Sequence, residues 1–129
     1  MIAGAAALGI MLLSGCTPTP DELVQEGISQ FQLGHLERAE ANIKQALDRR
    51  PSHPLGLFYM GRLYHAQKFY VMAIYYYQAA YDADPSLTEA MHFLEQAKQE
   101  AGAAGQRLQF IPDPPPNPPP PRHPTTQPM

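Results

Sequence analysis

Residues able to carry out chemistry are sparse in this chain. The 129-residue sequence contains one cysteine, Cys16, and five histidines. None of them lies in a glycine-rich phosphate-binding loop, a nucleophile motif or an HExxH zinc motif. A metal site at His65 and His92 would require both side chains to converge with a third ligand, and ordinary, partly exposed histidines are the simpler interpretation. The sequence therefore predicts a protein that is not an enzyme and that holds neither a metal ion nor a cofactor.

The charge of the chain narrows the range of partners. The formal net charge is −3 at pH 7, and the basic residues form no cluster. Proteins bind nucleic acid through concentrated positive charge on one face or along one helix. We therefore expect no nucleic-acid partner.

Cys16 ends an apolar stretch without charge, MIAGAAALGIMLLSGC. The stretch is shorter than the ~18–20 apolar residues that span a bilayer, and it is typical of the hydrophobic part of a secretory signal. The basic residues that usually precede such a part are missing, so either the true start lies upstream or the signal is atypical. We predict a signal peptide over residues 1–15.

The residues Leu13-Ser14-Gly15-Cys16 resemble the bacterial lipobox, in which a peptidase cleaves before a cysteine that becomes lipidated. The alternative is a chance cysteine after an ordinary cleavage site. The resemblance implies that Cys16 carries a covalent diacylglycerol and an acyl chain, because more than one chain is needed for stable anchoring. Residues 16–19 would then be the lipidated cysteine and a short linker.

Two stretches of the chain align without a gap at an offset of 34 residues. The matched positions hold small residues and a terminating proline: Gly27 with Gly61, Ala39 with Ala73, Ala46 with Ala80, and Pro51 with Pro85. A fixed period of this length indicates a repeat architecture. The pattern resembles the tetratricopeptide repeat (TPR), a helix–turn–helix unit. An unrelated pair of helical hairpins is the alternative.

Each unit also carries an apolar stripe on both of its helices. The stripe residues are Leu23, Gly27, Phe31, Ala39, Ile43, Ala46 and Leu47 in the first unit, and Leu57, Gly61, Tyr64, Ala73, Tyr77, Ala80 and Tyr81 in the second. Spacings of three and four are those of a helix with one buried face, and the small residues let two backbones approach closely. We predict an all-α fold with a first TPR unit at residues 20–51 and a second at residues 54–85.

Turn and cap residues mark where the predicted helices begin and end. Gly34 reaches positive φ at little cost and allows a tight turn in the first hairpin. The second hairpin has Lys68 at that position, which predicts a turn built differently. The predicted N-caps are Ser52, Thr19 in a capping box with Glu22, and Ser86 in a capping box with Glu89.

A capping helix and a proline-rich tail follow the second unit. The helix is predicted at residues 86–101, where it would cover the last exposed face of the array. Its apolar face consists of Leu87, Met91, Leu94, Ala97 and Ala101. Residues 102–129 are predicted to be a linker and a disordered tail, because the segment from Pro112 favours polyproline II and cannot form a core. The tail is either a solvated spacer or a ligand for a proline-binding partner.

Three consecutive tyrosines lie in the second helix of the second unit. The repeat alignment places Tyr77 in the core. Tyr75 and Tyr76 are predicted on the outer side of the helix, where an amphipathic ring can pack against a partner.

The TPR resemblance also implies where a ligand would bind, since the first helices of TPR units line a concave surface that holds peptides. Carried over position by position, this surface comprises Val24, Ile28, Phe31, Phe58, Tyr59, Arg62, His65, His92, Phe93 and Gln96. The alternative is that these residues only pack between repeats. Chaperone-binding TPR proteins use a clamp of lysine, asparagine and arginine for a terminal carboxylate. The matching positions here hold Val24, Ile28, Tyr59 and Phe93, so the resemblance predicts an apolar, aromatic groove for an extended or helical peptide instead.

Together the two resemblances imply a non-enzymatic, membrane-anchored protein–protein interaction module of the bacterial cell envelope. An adaptor or assembly factor of pilus, secretion or cell-wall machinery would bind an envelope protein or peptide through the concave surface. Thr17 stands where an aspartate commonly retains lipoproteins in the inner membrane. The resemblance therefore implies the outer membrane, facing the periplasm, with the inner membrane less favoured. The alternative is a lipid-anchored spacer or self-assembling homo-oligomer whose tail contacts the cell wall.

Overall fold

The computed structural model describes residues 15–105, and within that range the chain forms five α-helices and no strand. The helices are α1 (Pro20–Gln32), α2 (Leu36–Arg49), α3 (Pro54–Ala66), α4 (Tyr70–Ala83) and α5 (Thr88–Ala103). Each helix packs against the next one along the chain. This arrangement of two helical hairpins and a further helix confirms the predicted all-α fold class. The predicted signal peptide before Gly15 and the proline-rich tail lie outside the described residues.

In both hairpins a glycine of the first helix faces a large side chain of the second. A β-carbon at Gly27 would lie 2.6 Å from Cγ1 of Ile43, and one at Gly61 would lie 2.6 Å from Cδ1 of Tyr77. These distances are far below van der Waals contact, so the close approach of the two helices requires glycine at both positions. The two hairpins therefore pack in the same way, as the repeat alignment predicts.

The two hairpin turns share one backbone conformation. Gly34 has a φ of 81°, and Lys68 has a φ of 65°. In each turn the amide of the next residue donates to a carbonyl five residues earlier, at 2.9 Å. The prediction of a different second turn is therefore wrong. Lys68 adopts the left-handed conformation, at a cost of roughly 1–2 kcal/mol for a residue with a β-carbon, because helix packing imposes the same closure on both hairpins.

Thr19 begins α1 with the predicted capping box. Its hydroxyl accepts a hydrogen bond from the Glu22 amide at 3.2 Å, and Oε2 of Glu22 accepts one from the Thr19 amide at 2.7 Å. These bonds satisfy two amides that the first turn leaves without helical partners. Two hydrogen bonds to the Glu22 carboxyl lower its pKa. The larger effect comes from the Thr19 backbone amide and the smaller one from the Thr19 hydroxyl.

His53 caps α3 and also ties the second unit to the first. The prediction of Ser52 as the cap is wrong because Pro54 takes the first helical position, where proline is favoured, so that His53 becomes the cap. Nδ1 of His53 accepts a hydrogen bond from the Gly56 amide at 3.2 Å. Nε2 therefore carries the proton and donates to Oδ1 of Asp21 in α1, at 2.7 Å. Because Asp21 lies in α1 and His53 caps α3, this hydrogen bond joins the first unit to the second, and the His53 side chain is buried between them.

The capping helix α5 is displaced from its predicted bounds, since it begins at 88 rather than 86 and ends at 103 rather than 101. Ser86 is neither its cap nor part of a capping box. The Ser86 hydroxyl donates to Oδ1 of Asp84 at 2.6 Å, and Leu87 takes the cap position without a side-chain hydrogen bond. The buried residues of α5 are Ala90, Leu94, Ala97 and Ala101, with Leu87 and Met91 half-buried beside the core.

The tyrosine run is more deeply buried than its sequence predicts. Tyr77 is fully buried, as predicted, but Tyr76 is only 2% exposed, and its ring stacks on that of Tyr64 with centroids 5.5 Å apart. The prediction that Tyr76 lies on the outer side is therefore wrong, because α4 packs against both α3 and α5 and so buries more than one face. Burial raises the pKa of the Tyr76 hydroxyl well above its usual range. Tyr75 is half-buried.

Candidate functional site

Three helices bring aromatic side chains together around one arginine. Phe31 lies in the last turn of α1, the pair Phe58 and Tyr59 in α3, and Phe93 in α5. The Phe31 and Tyr59 ring centroids are 5.7 Å apart, and those of Phe58 and Phe93 are 5.6 Å apart, both with edge-to-face geometry. Arg62 lies one turn after Phe58 on the same face of α3. These five residues are called the Arg62 cluster below.

The guanidinium of Arg62 lies over the faces of three phenylalanine rings. Its Cζ is 4.5 Å from the centroid of Phe93, 5.3 Å from that of Phe31 and 5.9 Å from that of Phe58. A cation at such distances is attracted by the electron-rich ring faces. Attraction to ring faces does not consume the N–H donors of a guanidinium, which can still bind a planar anion such as a carboxylate.

No carboxylate of residues 15–105 pairs with the Arg62 guanidinium. Arg62, Phe31, Tyr59 and Phe93 are all partly exposed, whereas Phe58 is buried beneath them. The cluster thus combines partly exposed aromatic rings with a positive charge that lacks an acidic partner within the described range. Chemically, this surface fits a ligand that presents a carboxylate next to apolar groups.

Two candidates on α1 lie deeper than the surface. Val24 is fully buried, and its Cγ2 lies 3.4 Å from the place a β-carbon on Gly56 would occupy. Ile28 is half-buried against a small cluster formed by Leu23, Val24 and Ala46. Val24 therefore acts in packing between the units, which was the alternative interpretation of these positions.

The remaining candidates flank the Arg62 cluster on the side of α5. The His65 side chain is 12% exposed, and its Nδ1 lies 3.0 Å from the hydroxyl of Tyr77. His92 is exposed, with its ring edge-to-face on Phe93. Gln96 is also exposed, and its Nε2 donates to Oε1 of Glu100 at 2.8 Å.

Glu100 is a contact residue that sequence reasoning missed. Its Oε2 lies 2.9 Å from Nε2 of His65, which joins α5 to α3. Hydrogen bonds from Gln96, then His65, and more weakly from Tyr70 lower the pKa of the Glu100 carboxyl. The sequence could have predicted that Glu100 lies near the cluster, because Glu100 is seven residues after Phe93 and therefore on the same face of α5.

Comparison with known proteins agrees with this geometry. A family model described as tetratricopeptide repeat matches residues 24–88, half of the chain. The chain belongs to the tetratricopeptide repeat family. No curated protein and no solved structure matches it. TPR units are generally scaffolds that hold other proteins on an extended repeat surface, so this TPR chain is a protein–protein interaction module.

In TPR terms, α1 with α2 and α3 with α4 are the two units, and α5 takes the place of the first helix of a further unit. The Arg62 cluster draws its residues from these three first helices. Of the clamp positions, Val24 is buried, while Tyr59 and Phe93 present aromatic rings. The surface formed by α1, α3 and α5 is therefore aromatic at Tyr59 and Phe93, while Val24 is withdrawn into the core.

Other features of the TPR chain bear on the predicted sites. Cys16 is a free and exposed thiol, while Leu13 and Ser14 of the predicted lipobox fall outside the described residues. From Gly15 to Gly105, no helix is both long and apolar enough to cross a membrane. The same part of the chain has no group of three or more histidine, cysteine, aspartate or glutamate residues able to hold a metal ion.

Proposed function

We propose that this chain is a lipid-anchored TPR adaptor or assembly factor of the bacterial cell envelope, which binds a segment of another envelope protein at the Arg62 cluster. The observation that carries the proposal is the Arg62 guanidinium, framed by aromatic rings of three helices and lacking a carboxylate partner among residues 15–105. Aromatic and arginine side chains dominate the binding energy of protein interfaces. A peptide with apolar and acidic residues matches this surface.

The proposed anchor is a diacylglycerol and an acyl chain on Cys16, in the outer membrane and facing the periplasm, with the inner membrane less favoured. The exposed thiol and the lipobox resemblance support it. Cys16 lies three residues before the cap of α1. Since three residues span at most ~11 Å, such an anchor would hold the TPR units close to the membrane surface.

The proposed activity is binding rather than catalysis. The side chains that converge at the Arg62 cluster are aromatic rings and a guanidinium. Arginine stays protonated at physiological pH, and phenylalanine has no proton to transfer. The Tyr59 hydroxyl is the one group of the cluster able to transfer a proton, and none of the other four residues supplies a second general acid, base or nucleophile, so the cluster suits recognition of a ligand rather than catalysis.

Site-specific photocrosslinking in living cells tests this function. A photoreactive amino acid at position 59 should crosslink a defined envelope protein, and Arg62→Gln should abolish that product. Arg38→Gln is the matched control, because Arg38 is exposed on α2 and outside the cluster. Crosslinks that are absent, or equally strong in both arginine variants, would refute the adaptor function.

A self-assembling spacer is the second candidate function. Leu33 and Phe69 are exposed to 67% and 55%, and they lie in the equivalent turns of the two hairpins. If a second copy covered both side chains, their exposed apolar surface would be removed from water, which favours association. If this function is correct, Leu33→Ser with Phe69→Ser lowers the mass measured by sedimentation, while Arg62→Gln leaves it unchanged.

A further inference from the structure

We propose that the Arg62 cluster is also the binding site for the chain's own acidic proline segment, residues 112–116. In this complex the carboxylate of Asp113 pairs with the Arg62 guanidinium, and the prolines at 114–116 pack on the rings of Tyr59 and Phe93. The proposal goes beyond the adaptor function, since it states what covers the same surface when no partner is bound.

Charge complementarity identifies this occupant. Arg62 has no acidic partner among the described residues, and Asp113 carries the only carboxylate side chain in residues 106–129. The other charged residues of that segment, Arg107 and Arg122, are repelled by a guanidinium. Because Asp113 is the one acidic residue available to pair with Arg62, its position fixes which prolines lie against the aromatic rings.

The aromatic rings match the residues that follow Asp113. Proline-rich segments favour the extended polyproline II conformation before they bind, so little conformational entropy is lost on docking. Aromatic-lined grooves are the usual protein surfaces that hold such segments. Tyr59 and Phe93 are both partly exposed. Phe93 lies under the Arg62 guanidinium, and Tyr59 contacts Phe31, a second ring under that guanidinium.

The connection is long enough for the segment to fold back. Phe93 lies ten residues before the end of α5, a distance of about 15 Å at 1.5 Å per residue. Asp113 lies eight residues beyond Gly105, and eight extended residues reach about 26 Å. A tether of this length keeps the segment at an effective concentration in the millimolar range, so weak pairing suffices to occupy the site.

Paramagnetic broadening in the full chain, held in detergent micelles, tests the contact. A nitroxide at position 117, attached through Asn117→Cys in a Cys16→Ser background, should broaden the amide resonances of Tyr59 and Phe93. Asp113→Asn should remove the broadening, whereas Arg122→Gln, a charge change in the same segment, should leave it. Exchange of the charges, Arg62→Glu with Asp113→Arg, should restore it.

Three results would overturn the proposal: no broadening in the starting protein, equal broadening with Asp113→Asn, or broadening only when the nitroxide is on a second molecule mixed with the observed one. The last result would assign the contact to another copy. Asp113→Asn lies outside the helical units, so its effect does not depend on their stability.

The same variant separates this proposal from the adaptor function. If the segment occupies the site nine-tenths of the time, its release strengthens partner binding up to about tenfold. Asp113→Asn should therefore increase crosslinking from position 59. A crosslink that depends on Arg62 but is unchanged by Asp113→Asn supports the adaptor and excludes tail docking. Broadening in the starting protein, with no crosslink from position 59 even in the Asp113→Asn variant, supports docking and excludes the adaptor.

Discussion

The imidazole of His65 joins α3 to α5, because its Nε2 lies 2.9 Å from Oε2 of Glu100, 35 residues further along the chain. Its Nδ1 lies 3.0 Å from the hydroxyl of the buried Tyr77. One half-buried side chain thus connects the core of the second unit to the capping helix, next to the Arg62 cluster. Through this contact, ionisation of Glu100 affects how firmly α5 is held.

Glu100→Gln should lower the free energy of unfolding at pH 7 by about 1 kcal/mol, the net contribution of one hydrogen bond. Its carboxyl has a pKa lowered below the ordinary 4.5 by bonds from Gln96 and His65. A lowered folded-state pKa gives stability that is present above the unfolded value and is lost as pH falls through the folded value. Thermal melting should therefore show a difference from wild type that shrinks below pH 4.5.

The control for this measurement is Glu95→Gln on the same helix. Glu95 pairs with Lys98 at the surface, and both side chains are largely exposed, so its loss should have a smaller effect. If the two variants melt alike at every pH, the contact with His65 does not stabilise α5.

Gly61→Leu should destabilise the second unit by roughly 1–3 kcal/mol through overpacking, because even a β-carbon at that position would lie 2.6 Å from the Tyr77 ring. Gly102→Ala is the control, since no atom lies within 4 Å of a β-carbon there, and alanine in the helix should stabilise by up to about 1 kcal/mol. Chemical denaturation followed by circular dichroism measures both. Equal stability of Gly61→Leu and wild type would mean that the helices of this hairpin do not approach as described.

Substitutions at the equivalent turn positions, Gly34 and Lys68, should change stability in opposite directions. Gly34→Ala should destabilise by about 1 kcal/mol, because φ is 81° there and a β-carbon is disfavoured in this conformation. Lys68→Gly should stabilise by up to about 1 kcal/mol, because it relieves the same strain at φ 65°. Melting temperatures of the two variants provide the measurement, and a lower value for Lys68→Gly would show that the lysine side chain contributes more than the strain costs.

Cys16→Ser should leave the protein without lipid and release it from the membrane, if the lipobox resemblance is correct. The thiol is exposed and precedes α1 by a short linker, so the substitution should leave the helical units folded. Intact-mass analysis of the protein extracted from membranes measures the modification. An unmodified Cys16 in the mature wild type would contradict lipid anchoring.

The sequence by itself determined the repeat and its helices. The glycines at 27 and 61 and the prolines at 51 and 85 recur at one period, and local spacing places the apolar residues on one face of each helix. These signals act within a few residues of the chain, so they can be recognised without knowledge of the packing. The capping box at Thr19 was predictable for the same reason, since both partners lie within one turn.

Only the tertiary structure decided the features that depend on residues distant in the chain. The left-handed φ of Lys68 follows from the closure of a hairpin, and the burial of Tyr76 follows from helices packed on two sides of α4. The aromatic surroundings of Arg62 form only when α1, α3 and α5 pack together, because each helix contributes one ring within 6 Å of the guanidinium. Residue types and spacing indicated an aromatic surface with one arginine, but the distances between side chains of separate helices are set by packing, which no local pattern encodes.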